Sequence, residues 1–575
     1  MAGQRNVRVA DYLIQSLGEL GTRHLFGVGG ANIEDLYDAT AHSLGAVTGI
    51  LAKHEFGASS MADGYSRSSN RLGLVVATSG GGAMNLVPGL AEAHASRVPL
   101  LALVGEPPTA LHGRGAFQDT SGLGGSFDAQ ILFATVSRLC ARVSEPAAVP
   151  ELLARAVDAA RTPIPGPAVL LLPKDIQQAT IADPPPLREL LSASRDHAED
   201  AGRARERERV SGRLAAVRRS GGQVLIIAGD GVARADCRTE LASLASVLGA
   251  RVAVAPDARD VFDNADPHFA GVAGVMGHPG VRDCAQHAGT WVLVGTRLPH
   301  LVRAGLEEAQ EATTVISLDE QRPFIQDTLS LCGDLRGELR HLLRALGPKK
   351  GAEQVACGPH HDAHHSQQPP DTAGSSMREA VEAVATALPA AADVFIDAGN
   401  TGASAVHHLP APRTGRCVVA LGMGGMGYSF GAAIGAALAT GRRAFAIAGD
   451  GAFLMHGLEV HTAVQYGVPV SFVVLNNDAH GMCVTREKVF YGGRYSYNRF
   501  TPADPAAGLA ALLPGLDSRT ARDPAHLRRI LADTAAGAGP VFACLDVDVD
   551  EYPPFAPLLT SLTPKDTSNE PVPVG

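Results

Sequence analysis

Two polar segments in the C-terminal third of the chain could together bind a divalent cation. The apolar run 444–448 ends in Gly449-Asp450-Gly451, and the run 470–475 ends in Asn476-Asn477. A carboxylate and a carboxamide at the ends of neighbouring strands, with glycines that let the backbone approach closely, form an oxygen-ligand site suited to Mg²⁺ and a diphosphate. Each segment alone could also be an ordinary turn or a polar strand end. The predicted metal ligands are Asp450, Asn477 and the carbonyl oxygen of Ala479.

A glycine-rich loop precedes these segments and leads into a predicted helix. The loop is Leu421-Gly422-Met423-Gly424-Gly425-Met426-Gly427, and the helix is predicted over 430–439. Backbone N–H groups and the positive end of a helix can approach a phosphate closely in such a loop. Met426 is predicted to form an apolar wedge beneath a bent cofactor. A buried methionine that only fills a gap in the core is the alternative.

An acid in the N-terminal third lies at a similar junction. Glu55 follows a β-like run, 47–51, and opens a helix that continues through Tyr65. A buried carboxyl group at this place can share a proton with a ring nitrogen of a ligand. The alternative is an acid that only complements the positive N-terminus of the helix.

Short β-rich runs alternate with helical stretches along most of the chain, which predicts parallel sheets covered by helices and hence an α/β fold. The expected domains are 1–185, 186–350 and 377–557, with a linker at 351–376 and a tail at 558–575. The predicted strands are 72–77, 100–105, 168–173, 224–229, 291–295, 314–318, 394–396, 417–420, 445–448, 470–475 and 541–545.

Composition excludes several classes of protein. The formal net charge is -10, so a nucleic-acid partner is not expected. No apolar run reaches the roughly 20 residues that span a bilayer, so no membrane association is expected. The eight cysteines are scattered and no secretory signal precedes them, which favours the cytoplasm. The linker segment 359–365 contains four histidines. A solvated connector is the prediction there, and a metal site is the alternative.

Taken together, these residues resemble the thiamine-diphosphate-dependent enzymes, and within them the large subunits of the acetohydroxyacid (acetolactate) synthases. The resemblance covers most of the chain and is diffuse only in the central block. The matching segments are Gly29-Gly30-Ala31, His54-Glu55, Ala77-Thr78-Ser79-Gly80, Gly82-Ala83, Asn85-Leu86, Val98-Pro99-Leu100, Gly115-Ala116-Phe117-Gln118, Gly166-Pro167, Pro173-Lys174-Asp175-Ile176-Gln177-Gln178, Gly424-Gly425-Met426-Gly427, Gly449-Asp450-Gly451, Asn476-Asn477 and Gly481-Met482.

The resemblance implies three doubly wound parallel-sheet domains that bind the pyrimidine, form the centre and bind the diphosphate. It implies that Glu55 hydrogen-bonds the pyrimidine ring and promotes its imino form. The implied catalytic residues are Glu55, Gln118, Gly30 and Phe117. The implied cofactor-binding residues are Glu55, Asn85, Asn400, Thr401, Gly424, Met426, Gly449, Asp450, Gly451, Ala452, Asn477, Gly481 and Met482.

The implied activity is a carboligase that decarboxylates a 2-oxo acid such as pyruvate and transfers the acyl-carbanion unit to a second carbonyl compound. The implied assembly is a homodimer or homotetramer with the active site between subunits. One alternative is a decarboxylase or a carbon–carbon lyase, similar to 2-hydroxyacyl-CoA lyase. Another is a non-catalytic nucleotide-binding homologue.

The sequence departs from the family at several substrate positions. The family's Gln-His pair is Asn400-Thr401 here, its tryptophan after Gly481-Met482 aligns with Arg486, and its acceptor-side lysine aligns with Arg138. The family's acid after Gln118 is Asp119. These changes, beside intact cofactor motifs, imply related chemistry on another acceptor. Arg486 could bind a carboxylate or phosphate, or point into solvent.

The acetohydroxyacid synthases also hold FAD in the central domain, and FAD is therefore a further cofactor that the resemblance implies. The corresponding region contains three glycine turns. A structural bend is the alternative for each of them. The turns are Gly229-Asp230-Gly231, Gly274-Val275-Met276-Gly277 and Gly295-Thr296-Arg297.

Overall fold

Three six-stranded sheets, parallel throughout, organise the chain in a computed structural model that describes residues 6–43, 45–193, 201–348, 375–494 and 497–555. Helices lie between most of the successive strands in each of the three units. The prediction of three parallel-sheet α/β units is confirmed. The linker histidines and the tail 558–575 lie outside the described residues.

The first unit has the strand order β3-β2-β4-β5-β7-β6, with β1 and β8 as a separate antiparallel pair. Its strands are β1 (Asn6–Arg8), β2 (His24–Gly27), β3 (Thr48–Leu51), β4 (Gly73–Ala77), β5 (Leu100–Glu106), β6 (Leu139–Arg142), β7 (Pro167–Pro173) and β8 (Thr180–Ala182). Its helices are α1 (Val9–Glu19), α2 (Glu34–His42), α3 (Glu55–Ser69), α4 (Gly81–Ala95), α5 (Ala129–Ala134), α6 (Val149–Arg161), α7 (Lys174–Gln178) and α8 (Leu187–Ala193).

The central unit has the order β11-β10-β9-β12-β13-β14. Its strands are β9 (Val224–Ala228), β10 (Arg251–Val254), β11 (Phe269–Val272), β12 (Thr290–Val294), β13 (Thr314–Asp319) and β14 (Leu329–Cys332). Its helices are α9 (Ala201–Ser220), α10 (Gly231–Arg234), α11 (Arg238–Leu248), α12 (Pro279–His287), α13 (His300–Arg303), α14 (Glu307–Glu311) and α15 (Leu335–Leu346).

The third unit has the order β16-β15-β17-β18-β20-β19. Its strands are β15 (Asp393–Ile396), β16 (Cys417–Val419), β17 (Ala444–Gly449), β18 (Val470–Asn476), β19 (Asp517–Ala521) and β20 (Val541–Asp546). Its helices are α16 (Met377–Ala387), α17 (Asn400–His408), α18 (Tyr428–Thr440), α19 (Asp450–His456), α20 (Val460–Tyr466), α21 (Gly481–Tyr491), α22 (Pro505–Leu512) and α23 (Pro524–Thr534). A 3₁₀ turn, Gly457–Glu459, joins α19 to α20.

Helices α3 and α18 pack the first unit against the third, and their backbones touch. A Cβ atom at Gly64 would collide with the carbonyl oxygen of Ala432, and one at Gly435 would collide with that of Met61. The two glycines therefore set the separation of the helices. Because α3 begins at Glu55 and α18 follows the glycine-rich loop, this joint fixes the relative position of two candidate site segments.

Candidate active site

The predicted metal ligands lie together at the carboxyl edge of the third sheet. Strands β17 and β18 are neighbours, and Asp450 opens α19 directly after β17. The Asp450 carboxylate is buried and accepts hydrogen bonds from the N–H groups of Asn477, at 3.4 Å, and Ala479, at 3.0 Å. Burial raises the pKa of Asp450 to about 6. A desolvated carboxylate is stabilised by a bound cation, so this environment fits Mg²⁺.

The side-chain oxygen of Asn477 gives a second, independent indication. It is buried and has no hydrogen-bond partner within the described ranges. A buried amide oxygen in that state is costly unless a ligand or water satisfies it. Within the same ranges no group of three or more His, Cys, Asp or Glu side chains could hold a metal ion. A Mg²⁺ ion here would therefore depend on amide, backbone and phosphate oxygens in addition to one carboxylate.

Two glycines at this edge lie directly against neighbouring side chains. A Cβ atom at Gly451 would lie 2.7 Å from Nδ1 of His480 and 3.1 Å from Cε of Met426, and one at Gly481 would lie 2.7 Å from Nδ2 of Asn477. Met426 therefore lies beside Gly451. Glycine at both positions lets these neighbouring side chains pack closely against the backbone.

The remaining predicted positions of this edge are at helix starts. Asn400 and Thr401 open α17 and are buried. Nδ2 of Asn400 donates to Oγ1 of Thr485 at 3.0 Å, while its Oδ1 is buried without a partner in the described part of the chain. A Cβ atom at Gly449 would lie 3.4 Å from Oγ1 of Thr401. Ala452 is buried in the first turn of α19, whereas residue 482, a methionine, is half-buried in the first turn of α21.

Asp397 holds the glycine-rich loop and was missed by sequence reasoning. It follows β15 and is 1% exposed, and its carboxylate accepts from the N–H groups of Gly427, at 2.8 Å, and Ser429, at 3.0 Å. These groups are at the N-terminus of α18, where helical N–H donors lack partners. Gly424 and Gly427 have φ of 65° and 91°, which favours glycine at both positions. The sequence signal that could have identified Asp397 was its position directly after a predicted strand.

Glu55 is at once the first residue of α3 and a member of a buried polar cluster. It is 8% exposed, and its Oε2 accepts from Nδ2 of Asn85 at 3.0 Å. A Cβ atom at Gly82 would lie 3.0 Å from its Oε1. His54 caps the helix, since its Nδ1 accepts the N–H of Phe56 at 3.0 Å. Glu55 thus both opens α3 and takes part in a side-chain hydrogen bond near the carboxyl edge of the first sheet.

Gln118 and Gly30 lie on two different loops, and both approach the turn 78–80. A Cβ atom at Gly80 would lie 2.8 Å from Cγ of Gln118, and one at Gly30 would lie 2.5 Å from Cβ of Thr78. Gln118 has φ of 59°, an uncommon conformation for a residue with a side chain. Phe117 is 83% exposed. An aromatic side chain in this position is free to contact a substrate or a second protein surface.

The two arginines aligned with family substrate positions differ in placement. Arg138 precedes β6 at the amino edge of the sheet, where its guanidinium donates to the carbonyl oxygens of Pro165, at 3.1 Å, and His94, at 3.3 Å. That edge is opposite to the edge of Glu55, so Arg138 does not line the Glu55 site of its own chain. Arg486 is exposed on α21, four residues after Met482.

Asp119 stabilises the loop that carries Phe117 and Gln118. Its Oδ2 accepts the N–H of Gly113 at 2.8 Å, and its Oδ1 accepts the N–H of Ser121 at 2.9 Å. Both carboxylate oxygens are thus used within the loop. The structure gives Asp119 the role of shaping the loop.

The central glycine turns approach each other. A Cβ atom at Gly231 would lie 2.7 Å from Cα of Gly295, and one at Gly274 would collide with the backbone at Leu301. Asp230, between the two glycines of the first turn, forms ion pairs with Arg416 and Arg234. The close packing of Gly231 against Gly295 agrees with the structural-bend alternative for these two turns. FAD stays a prediction.

Comparison with known proteins gives matches in all three units. Residues 7–123 match the model of the thiamine pyrophosphate enzyme N-terminal TPP binding domain, 213–346 the central domain and 397–547 the C-terminal TPP binding domain. The chain belongs to the thiamine-diphosphate-dependent enzymes. This confirms the family prediction, and the cofactor that gives the family its name is thiamine diphosphate.

The relatives of this thiamine-diphosphate-dependent enzyme are acetolactate synthases. It is 28% identical to an acetolactate synthase of Arthrospira platensis, with 96% of both chains covered. It is 25% identical to a probable acetolactate synthase large subunit of Methanococcus aeolicus, with 91% of this chain and 89% of the relative covered. It is 27% identical to the acetolactate synthase isozyme 3 large subunit of Escherichia coli, with 85% of each covered. The enzyme is therefore acetolactate synthase-like. None of its described helices has the length and apolarity that crossing a bilayer requires.

Proposed function

We propose that this enzyme is a Mg²⁺-dependent carboligase that decarboxylates a 2-oxo acid, with pyruvate as donor, and transfers the acyl unit to a second carbonyl compound. The observation that carries the proposal is the pairing of two buried polar sites on one chain. Glu55 with Asn85 forms the first, and Asp450 with Asn477 forms the second. They match the two ends of thiamine diphosphate, a ring nitrogen and a diphosphate.

The third unit would bind the diphosphate end. Asp450, Asn477 and the carbonyl oxygen of Ala479 would hold Mg²⁺, which in turn binds phosphate oxygens. Gly449, Gly451, Ala452, Gly481 and Gly424 are small enough to admit the cofactor, and Met426 would support it from one side. Asn400 and Thr401 would offer polar side chains beside it, and Met482 would contribute an apolar contact.

The first unit would bind the ring end. The Glu55 carboxyl group would hold and transfer a proton at the pyrimidine nitrogen, and Asn85 would keep it oriented. Bound thiamine diphosphate supplies a thiazolium ring that accepts the electron pair left by loss of carbon dioxide. Gln118, Phe117 and the backbone of Gly30 would border the reacting carbons.

Exposed apolar side chains support a homodimer or homotetramer with the site between subunits. They are carried by the segments that carry the site residues, and each is at least 40% exposed. A monomer would leave this apolar surface in water, whereas a second copy would cover it and close the cofactor site. The side chains are Leu51, Met84, Phe117, Met423, Leu454, Met455 and Leu458.

The cysteines support the proposed location in the cytoplasm. Those in the described ranges, seven in number, are free thiols. Structural disulfides are typical of oxidising compartments, and the scattered positions give no sign of a disulfide framework.

Product analysis tests the proposal. Purified protein would be incubated with thiamine diphosphate, Mg²⁺ and pyruvate. Acetolactate is the expected product if pyruvate also serves as acceptor, and a mixed acyloin is expected when a second carbonyl compound is added. Acetaldehyde alone would instead show a decarboxylase, and cleavage of a 2-hydroxyacyl thioester without pyruvate consumption would show a lyase. Absence of any cofactor binding would point to a non-catalytic homologue.

A further inference from the structure

A buried acid of the third unit holds the backbone that immediately precedes Glu55. Glu459 ends the 3₁₀ turn between α19 and α20 and is 2% exposed. Its Oε1 accepts hydrogen bonds from the N–H groups of Lys53 and His54, both at 2.8 Å. Its Oε2 accepts from Oγ1 of Thr462 at 3.0 Å. Both carboxylate oxygens are therefore used, and both backbone donors come from the other unit.

These two N–H groups lie in the gap between β3, which ends at Leu51, and α3, which begins at Glu55. Residues in such a gap have no partner within a strand or a helix, and an unsatisfied buried N–H group is costly. A hydrogen bond to an ionised acceptor is stronger than one between neutral groups. Glu459 thus supplies the hydrogen-bond acceptor that these two N–H groups lack within the turn.

Side chains of helix α20 also hydrogen-bond to the residues of this turn. The N–H of Leu51 donates to the hydroxyl of Tyr466 at 2.9 Å, and Nζ of Lys53 donates to Oε1 of Gln465 at 2.9 Å. A Cβ atom at Gly57 would collide with the Glu459 carboxylate, so glycine at this position lets the acid reach the turn. The segment 51–54, which precedes Glu55, is therefore held by hydrogen bonds to the third unit.

We propose that Glu459 is a positioning residue that fixes the Glu55 carboxyl group for its proton transfer. This role rests on the function proposed above. Fixing the amides of Lys53 and His54 sets the direction in which α3 starts, and with it the direction of its first side chain. Without Glu459 the turn moves, and Glu55 spends less time in the geometry that proton transfer requires.

A reciprocal contact offers an internal comparison. Glu92 of α4, also 2% exposed, accepts from the N–H groups of Gly422, at 3.2 Å, and Met423, at 2.6 Å. The first unit thus holds the glycine-rich loop of the third unit, as the third holds the turn before Glu55. Each acid acts on a different segment, so the consequences of losing either one are separable.

Hydrogen exchange of the protein without cofactor tests the contact itself. Glu459→Ala should raise the exchange rate of the Lys53 and His54 amides by roughly tenfold or more, because their acceptor is lost. Glu459→Gln keeps an acceptor oxygen and should restore protection. Glu92→Ala should instead affect 421–424. Wild-type protection of 51–54 in Glu459→Ala would overturn the proposal.

A second buried acid controls for a general loss of stability. Glu338 of the central unit is 2% exposed and ion-paired with Arg207 at 2.7 Å. Glu338→Ala should lower the thermal midpoint while leaving the exchange of 51–54 at its wild-type rate. Equal loosening of this turn in Glu338→Ala and Glu459→Ala would reduce Glu459 to a structural residue and overturn the proposal.

Proton exchange at the thiazolium carbon of bound thiamine diphosphate tests the positioning role. At saturating cofactor and Mg²⁺, Glu459→Ala should slow this exchange by about tenfold, with Glu459→Gln close to wild type. An unchanged rate in Glu459→Ala would overturn the role of Glu459 and leave the proposed function intact. A wild-type protein that binds cofactor but shows no accelerated exchange would overturn the proposed function and the role of Glu459 together.

Discussion

The carboxyl edges of the outer two sheets differ from that of the central sheet in how their charges are neutralised. At the outer edges, the Asp450 carboxylate and the Asn477 amide oxygen are buried, and Asn85 is the hydrogen-bond donor on Glu55. At the central edge, Asp230 is paired with Arg416, and Asp319 with Arg97. The same architecture thus carries the proposed ligand sites at two edges and an ion-paired joint at the third.

The difference shows how a site can be recognised inside a repeated fold. Ion pairs between units consume the charges of the central edge, and both arginines come from neighbouring units. At the outer edges, Asp450 and Glu55 are instead hydrogen-bonded to backbone N–H groups and to an amide. Four predictions test this contrast.

The largest effect is expected from Asp450→Ala. Loss of the Asp450 carboxylate should abolish Mg²⁺-dependent cofactor binding, so that activity disappears at ordinary cofactor concentrations. Titration of thiamine diphosphate in the presence of Mg²⁺ measures this. Asp450→Asn is the control for folding, because its side chain has the same shape. Its amide oxygen can still accept the N–H of Ala479, so this variant should fold. Wild-type cofactor affinity in Asp450→Ala would remove Asp450 from the ligand set.

Glu55→Gln should separate binding from chemistry. The cofactor should still bind, because the amide keeps a hydrogen bond at the ring, but turnover should fall on the order of 10² to 10⁴. The rate of thiazolium proton exchange measures the step directly. Exchange at the wild-type rate would exclude Glu55 from proton transfer and leave it as a helix-start acid.

Asp230→Ala should affect stability and not cofactor binding. The buried guanidinium of Arg416 would lose one of its two acidic partners, at a cost of about 3 kcal/mol of unfolding free energy. Thermal unfolding measures this, with Asp517, whose exposed side chain is ion-paired with Arg519, as the Asp→Ala control that should show no measurable change. Loss of thiamine diphosphate affinity in Asp230→Ala would contradict the assignment of the central edge as a joint.

Gly435→Ala should have the smallest effect of the four. The added methyl group would collide with the backbone of Met61 and push α18 from α3, at a cost of about 1–3 kcal/mol. Gly212→Ala, in the exposed helix α9 with open space around it, should be neutral or slightly stabilising. Thermal midpoints compare the two. Equal thermal midpoints of Gly435→Ala and Gly212→Ala would show that the close packing of α18 on α3 does not require glycine at position 435.

Much of the fold was predictable because buried parallel strands appear in the sequence as apolar runs. Runs such as 100–105 and 470–475 became strands β5 and β18 nearly as predicted. Edge strand β19 was missed because Asp517–Ala521 is polar and half-exposed, so it gives no apolar signal. The neighbouring ends of β17 and β18 followed from strand order, which brought Asp450 and Asn477 together.

The contacts that hold the site were not predictable from the sequence. Glu459 lies 405 residues from His54, and Glu92 lies 330 residues from Gly422. No local sequence pattern connects residues so far apart. In the sequence, a glutamate that is buried in the fold cannot be distinguished from an exposed acid on a helix. Asp397 was closer to recognition because it directly follows a strand. The positions aligned with family substrate contacts were the least certain, since Arg138 proved to lie at the opposite edge of the sheet.

Calorimetric titration of the purified protein with thiamine diphosphate, with and without Mg²⁺, tests the central claim most directly. The account predicts saturable binding that requires Mg²⁺ and is lost in Asp450→Ala. Binding of equal strength in the presence of excess chelator, or no binding in either condition, would contradict a cofactor held between a magnesium edge and a buried glutamate.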